Sequence, residues 1–72
     1  MKLTYYPETD SLYFDLSDRP SFESKEVAQG VVLDFDDKGN LTGIDIDQAS
    51  TVLDLKKLIL NKVPIVEQSI TA

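Results

Sequence analysis

Cysteine and histidine are both absent from this 72-residue chain. Without cysteine the chain can form no disulfide and no thiolate metal site. Without histidine it lacks the side chain used in most zinc sites and in imidazole acid–base chemistry, and serine–histidine catalysis is excluded as well. These two absences remove the commonest catalytic and metal centres, so we predict a protein that is not an enzyme and that holds no cofactor.

Basic residues are also few. Seven of them stand against thirteen acidic residues, which gives a net charge of −6. An acidic chain repels the phosphates of nucleic acids, so we expect no DNA or RNA partner. The same charge favours solubility and a basic protein partner.

Long apolar runs are missing too, and no stretch reaches the length that crosses a membrane. The first residues lead into a strand pattern rather than a signal peptide, so a cytoplasmic location is expected. We predict a single domain over residues 1–72, because a chain this short has room for one small core. A core of this size often needs extra support, and we expect a homodimer to supply it.

The centre of the chain, residues 30–47, predicts a β-hairpin. Two β-rich runs flank a polar turn, in which Gly39 suits the positive φ of a type I turn with a G1 bulge. The loop length sets three pairs: Phe35 with Leu41, Leu33 with Gly43, and Val32 with Ile44. Period-two alternation then makes both faces apolar, with Val31, Leu33, Phe35 and Leu41 on one and Val32, Ile44 and Ile46 on the other. Such a hairpin is expected to be covered on both sides, by a helix and by a second chain.

Glycine inside the second run of this hairpin is unusual for a strand. Gly43 indicates a bulge or close packing by a large side chain. Leu33 opposite, or a helix residue above, is the expected filler.

A first hairpin is predicted over residues 2–16, with a turn at Pro7–Asp10. A four-residue loop pairs Tyr6 with Ser11 and Tyr5 with Leu12. It also sets Lys2 against Asp15 as a favourable charge pair. One face of this hairpin is then apolar, and carries Met1, Leu3, Tyr5, Leu12, Phe14 and Leu16.

The remaining elements complete an α+β fold. Residues 23–29 alternate as a charged edge strand. Val52, Leu55, Leu58 and Ile59 recur at helical spacing, so we predict a helix over about 50–62, with Ser50 as N-cap and Asp47 or Asp54 as alternatives, and with its end set by Pro64. We therefore expect an antiparallel β-meander of about five strands over residues 2–46, a C-terminal helix packed on it, and a tail over 63–72.

Six aspartates crowd the second half of the chain: Asp34, Asp36, Asp37, Asp45, Asp47 and Asp54. Carboxylate oxygens at this density could bind a divalent cation, but the spacing is not that of a calcium loop. We interpret them as a solvated acidic rim, represented by Asp34, Asp36 and Asp45.

Tyrosines near one end of the sheet form a second candidate surface. Tyr5, Tyr6 and Tyr13 could line a small pocket with Glu8 and Asp10, where acid–base chemistry needs perturbed pKa values. The alternative is that tyrosine covers a sheet face and keeps its hydroxyl wet. We take Tyr5, Asp10 and Tyr13 as the residues of this candidate binding surface.

Four segments together resemble a family of short, mostly bacterial proteins of unknown function, DUF2283. They are Tyr5–Tyr13, Glu26–Asp36, Gly39–Ile46 and Gln48–Ser50, and the resemblance covers about residues 3–50. Two positions depart from the family pattern, since Tyr6 stands where an acidic residue is common and Asp45 where glutamate is usual. The resemblance implies a small α+β fold, no established activity and, from genes that neighbour such proteins, an antitoxin-like role.

Three functions are therefore carried forward. The first is a non-enzymatic, homodimeric protein-interaction module. The second is an antitoxin-like neutraliser of a small basic toxin, which an acidic chain could bind electrostatically. The third is a small-molecule or divalent-cation binding protein that uses the tyrosines or the aspartates.

Overall fold

The computed structural model describes residues 1–71, which form a five-stranded antiparallel sheet followed by a single short helix. The strands are β1 (Lys2–Tyr6), β2 (Ser11–Asp15), β3 (Glu23–Ala28), β4 (Val31–Phe35) and β5 (Leu41–Ile46), and the helix α1 is Ala49–Val52. Their order across the sheet is β1-β2-β5-β4-β3. The β1–β2 hairpin therefore joins the β3–β4–β5 meander through the pairing of β2 with β5. This is the predicted α+β fold.

The register of the first hairpin is as predicted. Tyr6 pairs with Ser11, Tyr5 with Leu12, and Lys2 with Asp15. The turn that joins these strands ends at Asp10, which adopts a positive φ of 53°. Asp and Asn tolerate this conformation better than most residues, so the turn and the hydrophobic alternation specify one register together.

The register of the central hairpin differs from the prediction. Phe35 pairs with Leu41 as expected, but a bulge shifts the strands, so that Asp34 pairs with Gly43 and Leu33 with Ile44. The extra residue is Thr42 on β5. The predicted pairs of Leu33 with Gly43 and Val32 with Ile44 are therefore wrong, because the turn geometry sets only the first pair and one inserted residue reverses every later side chain.

This bulge makes the sheet apolar on one face only. Directly paired residues share a face, so the registers of all five strands assign each side chain. We call one side the apolar face, which on β1, β2, β4 and β5 carries Leu3, Tyr5, Leu12, Phe14, Val31, Leu33, Phe35, Leu41, Ile44 and Ile46. At the β3 edge the same side carries Glu23, Lys25 and Ala28. We call the other side the polar face, which carries Thr4, Tyr13, Asp15, Ser24, Glu26, Val32, Asp34, Gly43 and Asp45. The prediction that both faces of the central hairpin are apolar is wrong. Of the three residues predicted on the second face, Val32 lies on the polar face, whereas Ile44 and Ile46 lie on the apolar face.

The helix is much shorter than the predicted span of 50–62. α1 ends at Val52, and Leu53 is already extended, with φ −127° and ψ 152°. Asp54 Oδ1 then accepts a hydrogen bond from the Lys56 amide at 3.1 Å, a local turn that competes with helix formation. The apolar spacing of this segment cannot hold a helix by itself, because short helices in water depend on packing of their apolar face.

The start of α1 also differs from the prediction. Gln48 is the N-cap, in the left-handed region, and makes no side-chain capping hydrogen bond. The predicted caps Ser50, Asp47 and Asp54 do not serve that role. Of the predicted tail, residues 63–71 have no regular structure, and residue 72 lies outside the described part of the chain.

Candidate functional site

A hydrogen-bonded cluster occupies the middle of the polar face. The Tyr13 hydroxyl donates to Asp34 Oδ2 at 2.7 Å, and the Ser24 hydroxyl donates to Asp34 Oδ1 at 2.6 Å. Three strands supply these groups, β2, β3 and β4, because their polar positions fall on the same side of the sheet. Both oxygens of the central carboxylate are therefore engaged within the chain.

Gly43 allows the Tyr13 hydroxyl to contact Asp34. It lies on β5, between the strands that carry Tyr13 and Asp34. A Cβ at this position would collide with the ring and hydroxyl of Tyr13 and would lie 3.2 Å from the Phe14 carbonyl oxygen. The tyrosine ring thus covers a strand glycine, as is seen where a glycine would otherwise weaken a sheet. The predicted filler, Leu33 or a helix residue, is wrong, because the bulge places Leu33 on the opposite face.

The surroundings of the polar face raise the pKa values of two of its side chains, Asp45 and Tyr13. Burial raises the pKa of Asp45, and the nearby carboxylates of Asp47 and Asp34 raise it further. The hydrogen bond to Asp34 raises the pKa of Tyr13 to about 12, with burial and the neighbouring acids adding to it. Tyr13 therefore stays protonated at neutral pH and acts as a hydrogen-bond donor, so it is unsuited to serve as a base.

Asp36 has a structural role in the β4–β5 turn. Its side chain is only 5 % exposed and accepts hydrogen bonds from the amides of Lys38 at 2.9 Å and Asn40 at 2.8 Å. Arg19 Nε lies 2.8 Å from the other carboxylate oxygen. These amide hydrogen bonds, that of Asn40 above all, hold the pKa of Asp36 below its ordinary value. The predicted acidic rim therefore loses Asp36, which supports the turn.

Asp10 ties the first hairpin to α1. Its backbone carbonyl accepts the Ala49 amide at 2.8 Å. Its carboxylate accepts the Ser50 hydroxyl at 2.6 Å, the Ser50 amide at 3.1 Å and the Tyr5 hydroxyl at 2.7 Å. The hydrogen bonds from Ser50 and then Tyr5 lower the pKa of Asp10, and the hydrogen bond to Asp10 raises that of Tyr5. Gln48 provides no side-chain cap for α1. The carboxylate of Asp10, forty residues before Ser50, accepts the Ser50 amide in its place.

The six predicted site residues fall into three separate places. Tyr5 and Asp10 meet at the α1 anchor, while Tyr13 lies on the opposite face, because it is adjacent to Leu12, the partner of Tyr5. Asp34 and Asp45 share the polar face with Tyr13, and Asp36 is in the turn. The structure therefore does not form the pocket predicted from Tyr5, Asp10 and Tyr13.

Sequence reasoning missed three residues that build these arrangements. The sequence pattern places Ser24 only on an edge strand, yet its hydroxyl donates a hydrogen bond to Asp34. The pattern places Arg19 only in a loop, yet it pairs with Asp36. Ser50 is predicted to cap its own helix, yet its hydroxyl donates to Asp10. The register between β3 and β4 aligns Ser24 with Asp34, and a prediction of that register would have found this contact. No sequence signal points to Arg19.

The described residues hold no metal-ligand set. No group of three or more acidic side chains in residues 1–71 is arranged to bind an ion. The same residues include no helix with the length and hydrophobicity needed to cross a membrane. Most of the polar groups described above hydrogen-bond to one another within the chain. The side chains of the apolar face, in contrast, stay largely part-exposed.

The apolar face is incompletely covered. Leu12 is its one buried side chain in the described chain, at 7 % exposure, while Leu3 and Tyr5 are 43 % and 41 % exposed. The central residues, such as Leu33 and Ile44, are part-exposed. A sheet with one such side is half of a two-layer arrangement, which needs a second layer to bury it.

Comparison with known proteins gives a family. The family model described as "Protein of unknown function (DUF2283)" matches residues 2–50, which span the whole sheet and the start of α1. No curated protein matches the chain, and no solved structure does.

Proposed function

The chain belongs to DUF2283, a family described only as of unknown function, and from the geometry of its sheet we propose that it is a non-enzymatic, homodimeric protein-interaction module. Two copies associate through their apolar faces, and each presents its acidic polar face outward. The observation that carries this proposal is the one-sided sheet, whose apolar face stays part-exposed in the single chain.

The surface area of the chain supports the same conclusion. The accessible surface is 6198 Å² for a mass of 8.1 kDa. A compact monomer of this mass exposes about 4,500 Å², so the chain carries an excess of about 1,700 Å². A standard interface buries about 800 Å² on each partner, and obligate homodimers bury more. The excess is comparable with the area that such interfaces bury, as expected if part of this surface is covered in a homodimer.

Association through the face fits better than association through the β3 edge. The β3 edge carries Glu23, Lys25 and Glu26 and has a bulge between Glu26 and Ala28. Charges and bulges on an edge strand oppose the addition of another strand. The face offers large side chains near its centre, which suits the apolar core of an interface.

The outward polar face suits a basic protein partner. Asp34 and Asp45 lie on adjacent strands there, and burial together with the charges of Asp47 and Asp34 disfavours ionised Asp45. A cationic side chain on a partner would relieve this repulsion, which gives specificity and a faster association rate. The antitoxin-like role is a special case of this contact. It stays a prediction, as does the small-molecule or cation-binding role.

Two adjacent residues on β4 provide a matched experiment. Leu33 lies on the apolar face and Val32 on the polar face, and both are part-exposed. We expect the wild type to sediment as a dimer at micromolar concentration, with a melting temperature that rises with concentration by mass action. Leu33→Lys should give monomers or loss of folded protein, whereas Val32→Lys should leave the dimer intact.

Two results would contradict the proposal. One is a wild-type monomer at micromolar concentration whose melting temperature is independent of concentration. The other is equal sensitivity of the association to the two lysine variants, which would place the interface elsewhere. Circular dichroism of each variant separates dissociation from unfolding.

A further inference from the structure

The segment after α1 is apolar and basic, and the sheet does not cover it. We call residues 53–63 the C-terminal arm. Every residue from Ser50 to Thr71 is exposed. Within the arm this includes large apolar side chains, among them Leu55 at 40 %, Leu58 at 68 % and Ile59 at 61 % exposure. One chain therefore carries two apolar surfaces, the arm and the apolar face, and in a single copy neither is fully buried.

The arm has the pattern of an amphipathic helix. Leu55, Leu58 and Ile59 repeat at spacings of three and four, and Lys56 and Lys57 lie off that stripe. An isolated segment of this length is marginal as a helix in water, so its non-helical form in one copy is expected. Packing of the stripe on an apolar surface would supply what the isolated segment lacks.

Charge makes the arm complementary to the rest of the chain. Residues 1–50 hold eleven of the thirteen acidic residues and four of the seven basic ones. The other three basic residues, Lys56, Lys57 and Lys62, all lie in the arm, where Asp54 is the single acid. The arm and residues 1–50 therefore carry net charges of opposite sign, which favours their association between copies.

The dimensions of the arm also match the sheet. Eleven residues in a helix span about 16 Å. Five strands set the outer two about 19 Å apart. A helical arm would therefore cross most of the width of the apolar face and cover its central residues.

We propose that the C-terminal arm of one copy folds into an amphipathic helix on the apolar face of a second copy, in a reciprocal exchange. A second copy is the occupant because the large apolar side chains of the arm stay exposed in the single chain, although α1 is tied to the sheet through Asp10 and the chain's own apolar face is part-exposed. This inference rests on the proposed homodimer and adds which segment builds it.

The absence of cysteine allows a direct test in the full-length chain. A nitroxide is attached to Asn61→Cys in unlabelled protein, which is mixed with isotope-labelled wild type, so that only contacts between copies are seen. We expect broadening of the Leu33 and Ile44 methyl signals in the labelled copy. The exchange is overturned if these methyl signals broaden only when the nitroxide and the isotope label are on the same chain. It is also overturned if they broaden in neither sample.

A pair of variants tests the same point by affinity. Leu58→Asp places a charge on the apolar stripe, and Val66→Asp places one on a more exposed residue beyond the arm, at 104 % exposure. We expect Leu58→Asp to weaken dimerisation by about tenfold or more, since it loses the burial of one large side chain. Val66→Asp should change it by less than about twofold, because surface positions away from contacts contribute little. Equal effects of the two variants would count against the arm.

The helical signal at 222 nm separates this inference from the proposed function. It should increase with protein concentration in step with dimer formation, and Leu58→Asp should abolish the increase. A dimer that forms without any gain in helix, and without broadening from position 61, would refute the arm exchange while leaving the homodimer in place. A wild type that stays monomeric would refute both.

Discussion

The Tyr13 hydroxyl reaches the Asp34 carboxylate, at 2.7 Å, by crossing directly over Gly43. This contact links β2 to β4 across the strand between them. It requires a residue without a side chain on β5, and it requires the bulge at Thr42 that places Gly43 opposite Asp34. A glycine that would weaken an ordinary strand thus makes room for a hydrogen bond that joins β2 to β4.

Gly43→Ala is expected to destabilise the fold by about 1–3 kcal/mol, because the new methyl group displaces the Tyr13 ring from an otherwise packed position. Urea unfolding at fixed protein concentration measures the loss. In a Tyr13→Ala background the same substitution should cost less, since the displaced ring is gone, although the Phe14 carbonyl stays close. Identical costs in the two backgrounds would show that Tyr13 and Gly43 are not coupled.

Tyr13 should also make stability sensitive to alkaline pH. Its folded pKa of about 12 lies above the ordinary value of 10.0, so the fold favours the protonated hydroxyl. This contribution is complete below pH 10 and is lost as the pH rises through 12. Ultraviolet titration of the phenolate should show one tyrosine that ionises late, and Tyr13→Phe should remove that component. A titration unchanged in Tyr13→Phe would contradict the assignment.

Asp45→Asn is expected to stabilise the protein at neutral pH. The folded pKa of Asp45 is raised above 3.8, so its contribution is present below that pH and is lost as the pH rises through the folded value. The gain at pH 7 should be about 0.5 kcal/mol, since solvent screens a part-exposed charge. It should vanish near pH 3, where wild-type Asp45 is neutral. Asp37→Asn, in the exposed β4–β5 turn, is the control and should change stability less at pH 7.

Thr42→Val tests the cost of the buried, unpaired hydroxyl at the bulge. Thr42 is 2 % exposed, and its hydroxyl oxygen is buried without a hydrogen-bond partner in the described part of the chain. Valine keeps the shape and removes the unpaired group, so we expect a gain of about 1 kcal/mol in unfolding free energy. Thr42→Ser keeps the hydroxyl and loses the methyl group, and should be less stable than wild type. A loss of stability in Thr42→Val would mean that the hydroxyl has a partner in solution.

Local patterns were sufficient for much of the fold. Alternation in residues 2–16 and the turn at Pro7–Asp10 predict the first register correctly, because each fixes the other. The Gly39 turn predicts the pair of Phe35 with Leu41. Gly43 correctly indicated a bulge or a close contact, but the identity of the covering side chain depends on β2, which is distant in sequence.

The candidate sites were harder to predict for the same reason. Tyr5 and Asp10 are close in sequence and are predicted to lie together, but as the lining of a pocket rather than as a hydrogen-bonded pair. No local pattern predicts the contacts between distant segments, which join Asp10 to Ser50, Ser24 to Asp34 and Arg19 to Asp36. Grouping Tyr13 with Tyr5 overlooked the parity of β2, which sends neighbouring residues to opposite faces.

The amino-acid sequence alone determined the acidic charge, the lack of cysteine and histidine chemistry, the strands and the two tight turns, since each depends on composition or on neighbouring residues. The tertiary structure decided which face each strand presents after Thr42 and whether the segment after Val52 is helical. Both depend on partners far along the chain or outside it. One inserted residue moves the later side chains of a strand to the opposite face of the sheet. An amphipathic segment needs an apolar surface to pack on before its helix is stable.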